Sequence, residues 1–319
     1  MILVIGEILF DIFKNEKRLG GAPFNFACHL KSLGLPVRFI SRVGNDALGK
    51  KILNVLEQYR FNIEDIQVDD THDTGTVSVQ LDASGIPTFH INTDVAYDYI
   101  HYLPKAHSSL MDNADFIYFG TLVQRSKQGF ENIQKFIKNR HPGALCFYDI
   151  NLRPDCYSRK VILASLEHAD ILKLNTQELD ECKRILRFSK DSDTFIPFLM
   201  DQYELKIMAV TDGDKGSELY TPDGRFRSET HRVSSMVDTV GAGDAYSAML
   251  LIGMIKGWEP DRILSMASMF ASRICSIRGA VPDSHDFYEP IKEMIENGGY
   301  KDLWKPCYPP FSIISLIGS

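Results

Sequence analysis

The stretch Asp238-Thr-Val-Gly-Ala-Gly-Asp244, running straight into AYSAMLLIGMIKG (245–257), puts two glycines and a carboxylate where a loop turns into a helix. Gly241 and Gly243 let backbone N–H groups come close to an anion, and the start of the helix adds the positive end of its dipole. Asp244 brings a negative charge to the same place, which weakens plain anion binding. One reading makes Asp244 a general base that takes a proton from a substrate hydroxyl while the glycine amides hold a phosphoryl group in transfer. The other makes it a helix cap, a position Asp favours. The local sequence leaves both open.

Outward from this loop, short apolar runs at 2–6, 37–41, 115–119, 144–149, 170–174 and 206–211 alternate with amphipathic runs at 23–33, 46–59, 127–139, 158–168, 176–187, 242–256, 260–277 and 286–297. That alternation predicts βαβ units and an α/β fold around a mostly parallel sheet. The opening MILVIGEILF reads as a buried first strand; it lacks a basic leader and carries Glu7 and Asp11, so it does not read as a signal peptide. One region breaks the pattern. Thr74–Asn92 (TGTVSVQLDASGIPTFHIN) reads as two strands around an Ala-Ser-Gly turn, either a lid over a site or an edge hairpin. The segment 300–319, rich in aromatic residues and proline, has no assigned role.

With 319 residues, 44% hydrophobic and 24% charged, the chain has enough material for a sizeable α/β core. A net charge of −7 argues against a nucleic-acid or anionic-membrane partner, though amides in a nest still bind a small anion. The six cysteines show no CxxC pair and no metal spacing, which suits reduced thiols in a cytoplasm. No run reaches the ~18 apolar residues of a membrane-spanning helix.

Polar or glycine-rich loops follow nearly every predicted strand, where a parallel sheet forms its ligand crevice. Gly20, Gly21 and Asn25 precede the first long helix without a Walker A or GxGxxG pattern; Asn25 offers a donor and an acceptor to a sugar hydroxyl, or simply helix-start polarity. Asp11, expected just past the first strand, can grip two hydroxyls or stand as a solvated acid. In Tyr148-Asp149-Ile-Asn-Leu-Arg153-Pro154, Arg153 can neutralise phosphate or pair with Asp149. In Leu174-Asn175-Thr-Gln-Glu178, Asn175 and Glu178 form a capping box, or Glu178 holds Mg²⁺ through water. Thr211-Asp-Gly213-Asp-Lys-Gly216 can cradle a nucleotide or close a hairpin.

Taken in order, these segments resemble the PfkB carbohydrate kinase family, which has the ribokinase-like fold. GGAPFNFACHLKSLG (20–34) with VGNDALG (43–49) is similar to its N-terminal signature and DTVGAGDAY (238–246) to its C-terminal one. LNTQE (174–178) resembles its Asn-x-x-Glu motif and VTDGDKGS (210–217) its nucleotide-side turn; the similarity covers about 1–297. The resemblance implies one kinase domain over 1–299, with a small β lid near 12–20 and 71–100. It implies ATP and Mg²⁺ as co-substrate and metal, and Asp244 as base with Gly241, Ala242 and Gly243 as an anion hole. Asp11, Gly20, Gly21, Asn25 and Arg153 would contact the sugar. Asn175, Thr211, Gly213, Gly216 and Ala271 would contact ATP, Glu178 would hold magnesium through water, and Asp238 would adjoin a monovalent cation such as K⁺. A homodimer through the lid would follow. FGTLVQRS (119–126), YDINLRP (148–154) and IRGAVP (277–282) are most similar to bacterial fructokinases, with 2-keto-3-deoxygluconate kinase as the rival and Cys156-Tyr157 as a departure. A non-catalytic sensor of sugar or nucleotide is the reading of another class; the intact Asp244 argues against it.

Overall fold

The computed structural model describes residues 1–14, 16–81, 87–229 and 236–296. Thirteen strands and ten α-helices fall in these residues. The strands are β1 (Ile2–Ile5), β2 (Leu9–Ile12), β3 (Lys17–Gly20), β4 (Val37–Gly44), β5 (Ile66–Asp69), β6 (Thr76–Leu81), β7 (Pro87–Ile91), β8 (Phe116–Gly120), β9 (Leu145–Asp149), β10 (Ile171–Asn175), β11 (Ile207–Thr211), β12 (Ser217–Thr221) and β13 (Gly224–Ser228). The helices are α1 (Ala22–Ser32), α2 (Ala47–Gln58), α3 (Pro104–Asp112), α4 (Lys127–Lys138), α5 (Arg159–Leu166), α6 (Thr176–Leu186), α7 (Ser192–Gln202), α8 (Ala242–Ile255), α9 (Pro260–Ile274) and α10 (Glu289–Glu296).

Nine strands form one sheet in the order β13-β12-β11-β10-β9-β8-β1-β4-β5, parallel from β11 to β5 with an antiparallel hairpin, β12–β13, at one edge. Successive residues of these strands alternate between two cores. Ile2, Val4, Tyr118, Phe147 and Ile171 face α1, α8 and α9; Leu3, Ile5, Phe119, Tyr148 and Leu172 face α4 to α7. Both faces are covered, so the central strands read as continuous apolar runs. Helix α8 lies between α1 and α9 and is buried from Asp244 to Met254, which explains why it is apolar on all sides.

The chain leaves β1 toward β4 on one side, while β8 occupies the other. That reversal opens a crevice at the carboxyl ends of the strands. A second sheet, β3-β2-β6-β7, stands over this edge, with β2 parallel to β6. The expected hairpin at 74–92 is therefore a real one, but it joins a four-stranded sheet that includes residues 9–20. Its Ala-Ser-Gly turn lies outside the described residues, as does the 300–319 segment.

Some expectations need correction. MILVIGEILF is two strands in two sheets, broken at Gly6-Glu7-Ile8, so Asp11 sits on β2 of the small sheet. Helix α7 escapes the sequence pattern because Pro197 lies inside it; the buried Phe195, Ile196 and Leu199 and an Asp191 cap on the Thr194 amide outweigh the lost hydrogen bond. Helix α3 begins with Pro104 at its first turn, where the missing N–H costs nothing. Helix α9 stops at Ile274, and α10 starts at Glu289 after a 3₁₀ turn. No described helix is long and apolar enough to cross a membrane, and the five described cysteines form no disulfide.

Candidate active site

Gly241 is the N-cap of α8 and adopts φ +79, a left-handed conformation that glycine tolerates best. A Cβ there would lie 2.3 Å from Ala280 Cβ and 2.5 Å from Ala280 Cα, so the glycine is also required by close approach. Ala242, Gly243 and Asp244 form the first turn, whose amides have no partner within the helix; the Ala242 amide makes only a long 3.4 Å bond to the Thr239 carbonyl. Asp244 makes no cap hydrogen bond. Its Oδ2 instead accepts a 2.7 Å bond from Asn25 Nδ2 on α1, reaching across 219 residues of sequence. Asp244 is buried, and burial pushes its carboxyl up to about 7; the Asn25 bond and the charges of Lys173 and Arg153 pull it back, while Asp149 pushes it further up.

The glycines before α1 shape the neighbouring wall. Gly21, the N-cap of α1, has φ +110, and a Cβ on it would stand 2.6 Å from the Glu7 carbonyl oxygen. A Cβ on Gly20 would stand 2.9 Å from Asp11 Oδ2, which places that carboxylate directly against the loop. Burial raises Asp11 to about 6 against the pull of Arg153 and Arg18. Glu7, at the end of β1, is buried and raised to about 7, chiefly by burial, with Arg153 lowering it and Asp244 raising it. Arg153 is exposed and does not pair with Asp149, contrary to one sequence reading; its charge acts on Glu7, Asp11 and Asp244.

Asp149 is taken by Lys173. Their Cα atoms are register partners on β9 and β10, and Lys173 Nζ lies 3.2 Å from Asp149 Oδ1. The hydroxyls of Ser247 and Tyr118 donate to Asp149 Oδ2 at 2.7 Å and 3.1 Å. The sequence signal was a lysine inside the otherwise apolar strand ILKLN, which a parallel sheet tolerates only when the charge is paired.

On the other side, Asn175 and Thr211 are register partners at the ends of β10 and β11. The Asn175–Glu178 capping box forms: the Glu178 amide donates to Asn175 Oδ1, and Glu178 Oε2 accepts from the Asn175 amide, both at 2.8 Å. Glu178 Oε1 accepts from the Leu152 amide at 2.9 Å. Each oxygen keeps a lone pair, so the carboxylate can still accept a metal-bound water, which fits outer-sphere magnesium. Gly213 and Gly216 have φ +55 and +103 and close the β11–β12 hairpin, while Ala271 sits half-buried on α9, one turn beyond Ser268, which meets Ser217 of β12. Asp238 holds its own loop: it accepts from the Val240 and Gly279 amides at 3.1 Å each, and from Arg18 of β3 at 3.4 Å. A monovalent cation there would share this carboxylate with a guanidinium. Arg18, absent from the sequence reading, thus ties the small sheet to the loop that starts α8.

The sequence pattern of the pfkB family carbohydrate kinases matches residues 6–286. The chain is 30% identical over 303 residues to a sugar kinase of Pyrococcus horikoshii, covering 88% of this chain and 91% of that one. The crystal structure of that protein in complex with ATP superposes with a TM-score of 0.72 over 88% of this chain and 94% of the other, at 28% identity. Fructokinase-2 of Zea mays is 27% identical over 308 residues, covering 88% and 90%. A 5-dehydro-2-deoxygluconokinase of Bacillus anthracis is 23% identical over 304 residues, covering 86% and 89%.

Proposed function

Since the chain belongs to the pfkB family of carbohydrate kinases and is an ATP-dependent sugar kinase of ribokinase-like fold, we propose that it phosphorylates the primary hydroxyl of a neutral ketose, D-fructose, to give fructose 6-phosphate. The observation that carries the catalytic part is the buried Asn25–Asp244 hydrogen bond at the amino end of α8. It orients Asp244 through Oδ2 and leaves Oδ1 to take the hydroxyl proton. Asn25 Oδ1 is buried without a partner among the described residues, which offers an acceptor to a sugar hydroxyl.

In this reading the sugar oxygen loses its proton to Asp244 as it bonds to the γ-phosphorus, and the bond to the β-phosphate oxygen breaks. The amides of Ala242 and Gly243 face the charge that develops on the transferring group. Magnesium, when bound, would neutralise phosphate charge, and Glu178 would hold one of its waters. Asn175, Thr211, Gly213, Gly216 and Ala271 line the nucleotide side, and Asp11, Gly20, Gly21 and Arg153 the sugar side. The unpaired thiols among the described residues fit a cytoplasmic enzyme, and pairing of two copies through the β3-β2-β6-β7 sheet would cover that sheet's outer strands.

Two observations favour a neutral sugar. A fructokinase stands among the relatives. Glu7 and Asp244 also face each other, and the exposed Arg153 is the one arginine whose charge reaches Glu7, Asp11 and Asp244 alike, so a substrate carboxylate beside it would be desolvated among acidic groups. Arg153 is what favours 2-keto-3-deoxygluconate, and the Bacillus relative adds a second acidic sugar. ADP release over a panel of fructose, 2-keto-3-deoxygluconate and 5-dehydro-2-deoxygluconate tests the choice. Fructose is expected to lead in kcat/KM by at least about 100-fold; a lead for either acid would sink the neutral-sugar reading.

Because Asp244 must be ionised to act, kcat/KM is expected to rise with pH up to about 7 and then level off. The Asn25 bond favours the ionised form. Asn25→Ala should therefore move this acid limb upward by about one pH unit and raise KM for the sugar. An unmoved limb would show that Asn25 does not govern the base.

A further inference from the structure

We propose that Lys173 is a positioning residue of the transfer step: its ammonium, fastened by Asp149 against the first turn of α8, supplies the positive charge beneath the pocket where the phosphoryl group moves. The proposal rests on Asp244 and the α8 turn being the transfer site. Its geometry is independent of any ligand. A Cβ on Gly243 would stand 3.1 Å from Lys173 Nζ, so the ammonium touches the helix start at its second residue. A helix amino end ordinarily repels a cation. Lys173 is nonetheless buried there, 6% exposed, at the one strand position whose side chain meets both α8 and its register partner Asp149.

Asp149 is hydrogen-bonded as well as charge-paired. It already has the hydroxyls of Tyr118 on β8 and Ser247 on α8. If the lysine served only to offset Asp149, an uncharged pair would pack there at lower cost. The other groups facing Lys173 are Glu178 on α6 and Asp244 on α8. Burial alone would lower the Lys173 pKa, but Asp149, Glu178 and Asp244 together raise it, so it stays charged. Those facing Asp244 are Asn25 on α1, Asp149, Lys173, and Arg153 after β9, with Glu7 after β1. Lys173 is the buried cation of this set, and it lies against the first turn of α8. A pocket that already contains several carboxylates and must admit a triphosphate gains from a fixed positive charge that needs no reorganisation.

The test compares the full-length Lys173→Met variant, the Lys173→Met/Asp149→Asn double variant and Asp244→Asn by kcat, KM for ATP and sugar, pH profile and Tm. Lys173→Met is expected to lower plateau kcat by about 100-fold with smaller changes in KM. It should also shift the acid limb upward and lower Tm, because Asp149 loses its counter-charge. In the double variant Tm and the acid limb are expected to return toward wild type, since one charge of each sign is gone, while plateau kcat stays low. Recovery of plateau kcat to within about threefold of wild type in the double variant would assign Lys173 to neutralising Asp149 and overturn the proposal. Failure of the double variant to fold would assign the lysine to the core and overturn it too. Near-normal turnover of Asp244→Asn would instead remove the base reading on which the proposal stands, and is read separately.

Discussion

Asp244→Asn is expected to lower turnover by about 10²–10⁴-fold while sugar and ATP still bind and the fold stays at least as stable as wild type. The rate loss follows from removing the carboxylate's basicity: the variant's amide oxygen keeps the bond from Asn25, and an NH₂ that cannot take a proton then faces the hydroxyl. The stability part follows from the sign of the titration. Unfolded, the carboxyl has its ordinary value of 3.8; folded, burial raises it to about 7. Between these values the folded state holds the extra proton, so this residue's contribution to stability falls as pH rises from about 4 to about 7. Above that the fold carries the full cost of a buried carboxylate. Asparagine removes that cost, so the Tm advantage of the variant should be largest near pH 8 and vanish near pH 4. A helix-cap role requires the reverse, a loss of stability without a selective loss of turnover, and that pattern would discard the base.

Gly241→Ala is expected to lower kcat by about 10²–10³-fold, the scale of a lost anion-hole donor. A side chain at φ +79 costs about 1–2 kcal/mol in backbone strain. It would also run into Ala280, 2.3 Å away, which is backbone-linked and cannot simply rotate aside. The turn must open, and the Ala242 and Gly243 amides leave their direction. Asp244 is held from elsewhere, by Asn25 on α1, so sugar affinity should change much less than turnover. Isothermal titration with the sugar and steady-state kinetics check both halves. Unchanged kcat would mean that the amides of this turn do not serve the transfer.

Much of the architecture was legible because each signal was local. The alternation of apolar strands and amphipathic helices follows from periodicities within ten or so residues, and the strand and helix ranges needed only small adjustments. The two helices missing from the pattern differ in cause: Pro197 inside α7 weighs against a helix in any local reading and the burial of Phe195, Ile196 and Leu199 decides for it, whereas Pro104 is a permitted start and α3 is only nine residues long. The break in MILVIGEILF was illegible because nothing within those residues distinguishes one sheet from two; β2 exists as a separate strand because β6, more than sixty residues later, pairs with it.

The site divides in the same way. Gly241, Gly243, Gly21 and the Asn175–Glu178 box were visible as types at spacings, since a left-handed turn, a close approach and a capping box each need particular residues in a row. The partners were not visible. One reading paired Arg153 with Asp149, four residues away, yet Lys173 holds it because parallel strands set those two side by side. Glu7 and Arg18 went unread because one is only a residue after a strand and the other only a lid cation until the crevice brings them to Asp244 and Asp238. The sequence by itself determined the central parallel strands, most of the helices, their order and the glycine turns, because these depend on backbone conformation and local periodicity. Only the tertiary structure decided that the Asp244 carboxylate is buried and bonded to Asn25, because that depends on a helix 219 residues away in sequence and on the charges of Asp149, Lys173 and Arg153, which the sheet brings to it.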